Sequence, residues 1–206
     1  VGGVTVNPTA GLPTTEGSGT DTFTVVLVSQ PSADVTIGLS SSDTTEGDVG
    51  VASVTFTSSN WDVAQTVTVS GADDDVDDDD VGYTIVTAGA TSTDGNYAGF
   101  DADDVSVTNV DDDTVGITVV PTTGLVTTEL GGTDTFTVVL TSEPTNTVTI
   151  NLTSSDTGEG TVPASVIFDD TNWSTAQTVT VTGVNDNYDD GDASYTIATA
   201  AATSSD

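Results

Sequence analysis

Gly19-Thr-Asp-Thr-Phe-Thr-Val-Val-Leu27 returns unaltered as Gly132-Thr-Asp-Thr-Phe-Thr-Val-Val-Leu140. Within it apolar residues alternate with threonine and a neighbour, the two-residue period of a strand with one buried face. Outward from this segment nearly everything recurs at an offset of 112 to 113 residues. Ser41-Ser-Asp43 returns as Ser154-Ser-Asp156, and Asn60-Trp61 with Ala64–Val69 returns as Asn172-Trp173 with Ala176–Val181. Such self-similarity is the signature of repeated structural units. Two homologous domains are expected, residues 1–114 and 115–206.

In the first copy the same alternation predicts seven short strands. They are carried by Val4 and Val6, then Phe23, Val25 and Leu27, then Val35, Ile37 and Leu39, then Val54 and Phe56, Val67 and Val69, Tyr83 and Ile85, and Val105 and Val107. Turn residues separate them at Gly11-Leu-Pro13, Gln30-Pro-Ser32, Glu46-Gly47 and Asp94-Gly-Asn96. No window sustains a helical period. The fold class is therefore all-β, two tandem immunoglobulin-like antiparallel sandwiches, with abundant threonine suited to a half-exposed pleated surface. Trp61 and Trp173 are expected to plug a sandwich corner, and Tyr83 and Tyr195 to join the core face.

The counterpart of Val105–Val110 would follow Asp206, so the second domain is expected to lack its last strand. One explanation is that the sequence is a fragment of a longer repetitive protein. The other is that a neighbouring chain donates the strand, since an unpaired sheet edge is an association site.

Composition narrows the function. The chain has 28 Asp and 5 Glu, no Lys, Arg, His or Cys, and a formal charge of −33. Phosphate binding needs Lys or Arg, so nucleic acid is excluded as a direct partner and an anionic membrane surface is disfavoured. No apolar run approaches the roughly 18 to 20 residues that cross a bilayer, and no export signal opens the sequence, so a soluble mature segment without membrane insertion is expected. Without His and Cys the usual ligands of zinc and copper are missing, which leaves a hard, oxygen-preferring cation. The same losses remove most general bases and nucleophiles. No carboxylate is expected in an apolar setting that would raise its pKa, and the protein is read as no enzyme.

Charge is most concentrated in Gly71–Tyr83, GADDDVDDDDVGY, where seven aspartates fill eight positions. With no cationic side chain in reach they would repel one another by several kcal/mol in all, roughly, unless an ion intervened. Calcium takes six to eight oxygens at about 2.3 to 2.6 Å in flexible geometry, which short aspartates on loops can supply. A merely solubilising acidic surface would spread carboxylates over the exposed strand faces, and those faces are mostly threonine.

The arrangement of DDD-V-DDDD before Tyr83-Thr-Ile85, a last strand ending Val-Thr-Asn-Val-Asp-Asp-Asp-Thr114, and Glu16 in the opening loop resembles the Calx-beta family of calcium-binding sandwiches. It is similar also to the tandem repeats of large bacterial surface adhesins. The resemblance covers both copies. It implies calcium ligands at Glu16, at Asp73, Asp74 and Asp78, and at Asp111, Asp112 and Asp113, with the backbone carbonyl of Val76 and, more weakly, Asp80. Val81 stands where the family often has a further acidic residue, which leaves the number of ions open. In the second copy Glu129, Asp186, Asp190 and Asp192 are kept, but Asn185 and Asn187 replace aspartates, so a weaker site is expected there.

Only Thr114 separates Asp113 from Val115, the start of the next copy, which is far shorter than a flexible linker. Ions at this junction are expected to hold adjacent domains in line. The reading is thus a calcium-stiffened, non-catalytic repeat of a secreted or cell-surface bacterial adhesin or matrix fibre, with neighbouring repeats as its partners. The alternative is a subunit of a self-assembling extracellular filament or surface layer, completed by strand donation from other copies.

Overall fold

In the computed structural model, which describes residues 2–185 and 191–206, the chain divides into two compact units. The first comprises residues 1–74 and 78–112, the second residues 75–77 and 113–206.

Among the described residues the first unit has nine strands: β1 (Val4–Asn7), β2 (Leu12–Thr15), β3 (Thr20–Leu27), β4 (Val35–Ser41), β5 (Gly47–Val49), β6 (Ser53–Phe56), β7 (Gln65–Gly71), β8 (Val81–Thr87) and β9 (Val105–Val110). One sheet runs β1-β3-β7-β5 and the other β2-β9-β8-β4-β6. The alternating residues of each strand meet in one core: Phe23, Val25, Ile37, Phe56, Val67, Ile85 and Val105 are all at most 1% exposed. Burying such side chains stabilises by about 1.5 to 3 kcal/mol each relative to exposure.

Two expected turns are strands instead, so the described residues of the unit form nine strands where seven were expected. Gly11-Leu-Pro13 leads into β2, which pairs parallel with β9 in the register Leu12↔Val107 and Thr15↔Val110. Pro13 is tolerated because β2 is an edge strand, where a missing N–H breaks no ladder on the open side. This parallel pair is also the departure from a wholly antiparallel sandwich. Gly47, expected in a turn, opens β5 opposite Gly71. A Cβ at Gly47 would collide with the Tyr83 hydroxyl, so glycine marks a close approach here and not a bend.

The second unit repeats the plan with β10 (Ile117–Val120), β11 (Thr133–Leu140), β12 (Val148–Ser154), β13 (Gly160–Thr161), β14 (Ser165–Phe168), β15 (Gln177–Gly183) and β16 (Ile197–Thr199). Its sheets run β10-β11-β15-β13 and β14-β12-β16. Phe136 pairs with Val179 as Phe23 pairs with Val67. Trp61 and Trp173 are half-buried against their respective cores. Tyr83 is buried, whereas Tyr195 is half-exposed.

Candidate metal centre

Topology brings the acidic loops of the first unit together. Because β2 and β9 are parallel, the residues that follow them leave the sheet at the same end, and the Glu16 N–H donates to the Val110 carbonyl at 3.2 Å. Because β8 runs antiparallel to β9, the acidic loop before Val81 opens at that end too. The opposite sheet contributes the end of β7. A Cβ on Gly71 would overlap the Thr15 carbonyl oxygen and Asn109 Oδ1, so only glycine lets the start of the acidic loop lie against the chain that carries Glu16. β5 completes the ring: the Ala72 N–H donates to the Glu46 carbonyl at 2.9 Å.

A buried polar relay fixes this end of the sandwich. Thr14 Oγ1 donates to Asn109 Oδ1 at 3.0 Å and lies 3.2 Å from the Tyr83 hydroxyl, and Asn109 Nδ2 donates to the Ala72 carbonyl at 2.9 Å. Thr14 and Asn109 are each 1% exposed. Outside it, Asp79 adopts a left-handed φ of 66°, which aspartate tolerates, and its N–H donates to Asp111 Oδ2 at 3.0 Å. Asp111 in turn donates its N–H to Asp80 Oδ1 at 3.3 Å. The aspartates thus clamp the loop to the end of β9.

Glu16 is the centre of the arrangement. It is 2% exposed, and its Oε2 has no hydrogen-bond partner. Burial pushes its carboxyl up to about 7; Asp74, Asp111 and Asp78 push the same way, against a backbone hydrogen bond from Asp112. Carboxylate oxygens of Glu16 and Asp74 lie within 4.8 Å of one another. At an effective dielectric of about 20, two ionised groups at that separation repel by about 3 kcal/mol. The expectation that no carboxylate sits in a pKa-raising setting is therefore corrected: β2 carries Glu16 into the sandwich edge, out of water.

Glu46, absent from the expected ligands, belongs to the same cluster. It is 8% exposed and its carboxyl is raised, chiefly by burial and then by Asp78, Asp43 and Asp74, with the Asn109 amide opposing. Its counterpart by the repeat is Glu159, so recurrence at the repeat offset was the available signal. A buried carboxylate with an orphaned oxygen, ringed by carboxylates in a chain without one basic side chain, is a donor set that fits a hard divalent cation.

The remaining expected ligands fall in three places. Asp73, Asp74, Asp78, Asp80 and Asp112 are exposed and Asp111 is half-exposed, all within the first unit. Asp112 Oδ2 lies 3.1 Å from where a Cβ on Gly17 would be. Val76 and Asp113 fall in the second unit. There the Asp75 carbonyl accepts from the Glu143 N–H and Asp77 Oδ2 from the Val115 N–H, each at 2.6 Å. Of the second-copy ligands, Glu129 and Asp192 are exposed, and Asp186 and Asp190 lie outside the described residues.

No family model and no curated protein matches the chain. Among solved structures, a crystal structure of CBD12 from CALX1.2 is similar at 16% identity and a TM-score of 0.40, covering 97% of this chain and 80% of that one. An apo-form Calx CBD1 domain is similar at 18% identity and a TM-score of 0.41, over 53% of this chain and 96% of that one. The E. coli chaperone DraB matches at 10% identity and a TM-score of 0.38, over 86% and 85%. At these scores the chemistry of the site stands on its own residues.

Proposed function

We propose that the first unit is a calcium-binding β-sandwich whose cation is held by the carboxylates of Glu16, Asp74, Asp78 and Asp111, with Glu46 alongside. The observation that carries this reading is the buried, unpartnered Oε2 of Glu16 among carboxylates. A bound calcium supplies the positive charge that no side chain of this sequence provides. Glu16 and Glu46 then stay ionised in their buried positions, and the opening loop, the acidic loop and the end of β9 are tied together.

The role is structural and non-catalytic: a repeat of a secreted or cell-surface bacterial adhesin or matrix fibre, stiffened by calcium. The single residue Thr114 between Asp113 and Val115 supports the stiffening, since a flexible connection needs more chain. The complete absence of basic residues supports an extracellular, salt-exposed setting.

Small-angle scattering and thermal melts with calcium and with chelator test the role together. Calcium is expected to raise the melting temperature of the first unit and to narrow the distribution of molecular dimensions. If neither quantity responds to chelation, the stiffened repeat is wrong.

A further inference from the structure

The inward face of β9 begins with Val105 and Val107, and by that alternation its third position should be apolar as well. Asn109 stands there instead, buried as fully as the two valines. A buried amide costs stability unless its polar atoms are paired. The direction of each of its hydrogen bonds follows from the chemistry of the partners. The Ala72 carbonyl can only accept, so Nδ2 faces it at 2.9 Å and Oδ1 is turned towards Thr14. Oδ1 can only accept in its turn, so the Thr14 hydroxyl directs its one proton there at 3.0 Å, and the Tyr83 hydroxyl, 3.2 Å away, donates to Thr14. The amide also serves the Glu46 carboxylate as a side-chain donor.

The partners share a relation to the acidic cluster. Thr14 stands two residues before Glu16, Ala72 two before Asp74, and Asn109 itself two before Asp111. Glu46 is held directly. One side chain beneath the cluster thus joins the ends of β2, β7 and β9 and the loop that enters β5. Its register partners Thr14 on β2 and Val81 on β8 fix its place in the sheet from both sides.

Resting on the calcium reading of the Glu16 cluster, we infer that Asn109 is a positioning residue that sets the selectivity of that site for calcium over magnesium. Its polar atoms are engaged below the site, so it acts through the spacing of the segments that carry the carboxylates. Magnesium demands oxygens at about 2.0 to 2.1 Å in near-ideal octahedral geometry, whereas calcium accepts six to eight at about 2.3 to 2.6 Å. Segments pinned to one buried amide resist closing around the smaller ion. Released from it they can contract, and the preference for calcium falls.

The test titrates the whole chain with calcium and with magnesium by calorimetry, in the unaltered protein and in N109A, T14V and T14S. A fold that is merely weakened lowers both affinities by the same factor, so the ratio of the two isolates the spacing. N109A is expected to bind calcium roughly tenfold or more weakly. Its affinity for magnesium is expected to fall less, so that the ratio drops by roughly threefold or more. T14V removes the hydroxyl at nearly constant shape and is expected to shift the ratio the same way. T14S keeps the hydroxyl and is expected to stay within about twofold of the unaltered chain. If circular dichroism shows N109A unfolded, the Thr14 pair decides. An unchanged ratio in the folded variants, or T14S as impaired as T14V, overturns this inference alone. Absence of calcium binding in the unaltered chain overturns the calcium reading of the cluster, and this inference with it.

Discussion

Glu16 carries its energetic signature in both states of ionisation. Its carboxyl is raised from 4.5 to about 7, so without calcium the protonated form is the one that suits the fold. That contribution is fully present below about pH 4.5 and is lost as pH rises through about 7. Chelator-treated protein should therefore melt progressively lower between those two limits, while calcium-loaded protein should not. Glu16→Gln should raise the chelator-treated melting temperature at about pH 8 by several degrees. Removing a buried, uncompensated charge recovers roughly 1 to 3 kcal/mol, and each kcal/mol is about 4 to 8 °C in a domain of this size. Calorimetry at the two pH values checks both outcomes. Asp94 shows the opposite sign: hydrogen bonds from the Ser32 and Asn96 backbones hold it down to about 2. Its contribution is present above about 4 and is lost as pH falls towards 2. Asp94→Ala should lower the melting temperature at neutral pH and shrink the loss on acidification. Glu16 was expected as a ligand only through the resemblance of its opening loop to the Calx-beta family, and its burial was not legible at all. That burial depends on β2, which Gly11 and Pro13 disguised as a turn. Glu46 was hidden for the same reason, standing beside a glycine that looked like a bend.

Strand alternation made β1, β3, β4, β6, β7, β8 and β9 readable because each has one apolar face. β2 and β5 are short, contain Pro or Gly, and are strands only through their partners β9 and β7. Tertiary pairing decides such segments, and local preference does not. The close approach of Gly71 to Thr15 follows from the same pairing and yields a direct test. Gly71→Ala forces a Cβ into the Thr15 carbonyl and Asn109, so it should destabilise the first unit by roughly 1 to 3 kcal/mol. It should also weaken calcium binding, because Glu16 is the next residue after Thr15. Gly82→Ala is the matched control, since its nearest neighbour would be 3.9 Å away and no such loss is expected. Chemical denaturation of the two variants separates the outcomes.

For the molecule as a whole, the charge of −33 sets a background that any salt reduces, so a specific site must be told apart from screening. Specific binding to the folded state adds stability by mass action, about 2.7 kcal/mol at a calcium concentration 100 times the dissociation constant. Sodium chloride at matched ionic strength should not reproduce that gain, as melts in the two salts will show. The repeat itself, and hence the pair of sandwiches, was plain from the offset of matching segments. The shortening of β16 to three residues, where β8 has seven, was not readable from that offset. The central claim is that the carboxylates around Glu16 bind calcium, and a calcium titration by calorimetry tests it most directly. At about pH 8 and about 0.15 M salt, where the Debye length is about 8 Å, the chain should bind calcium saturably and Glu16→Gln should weaken the tightest phase roughly tenfold or more. Superimposable isotherms for the two proteins would contradict the account.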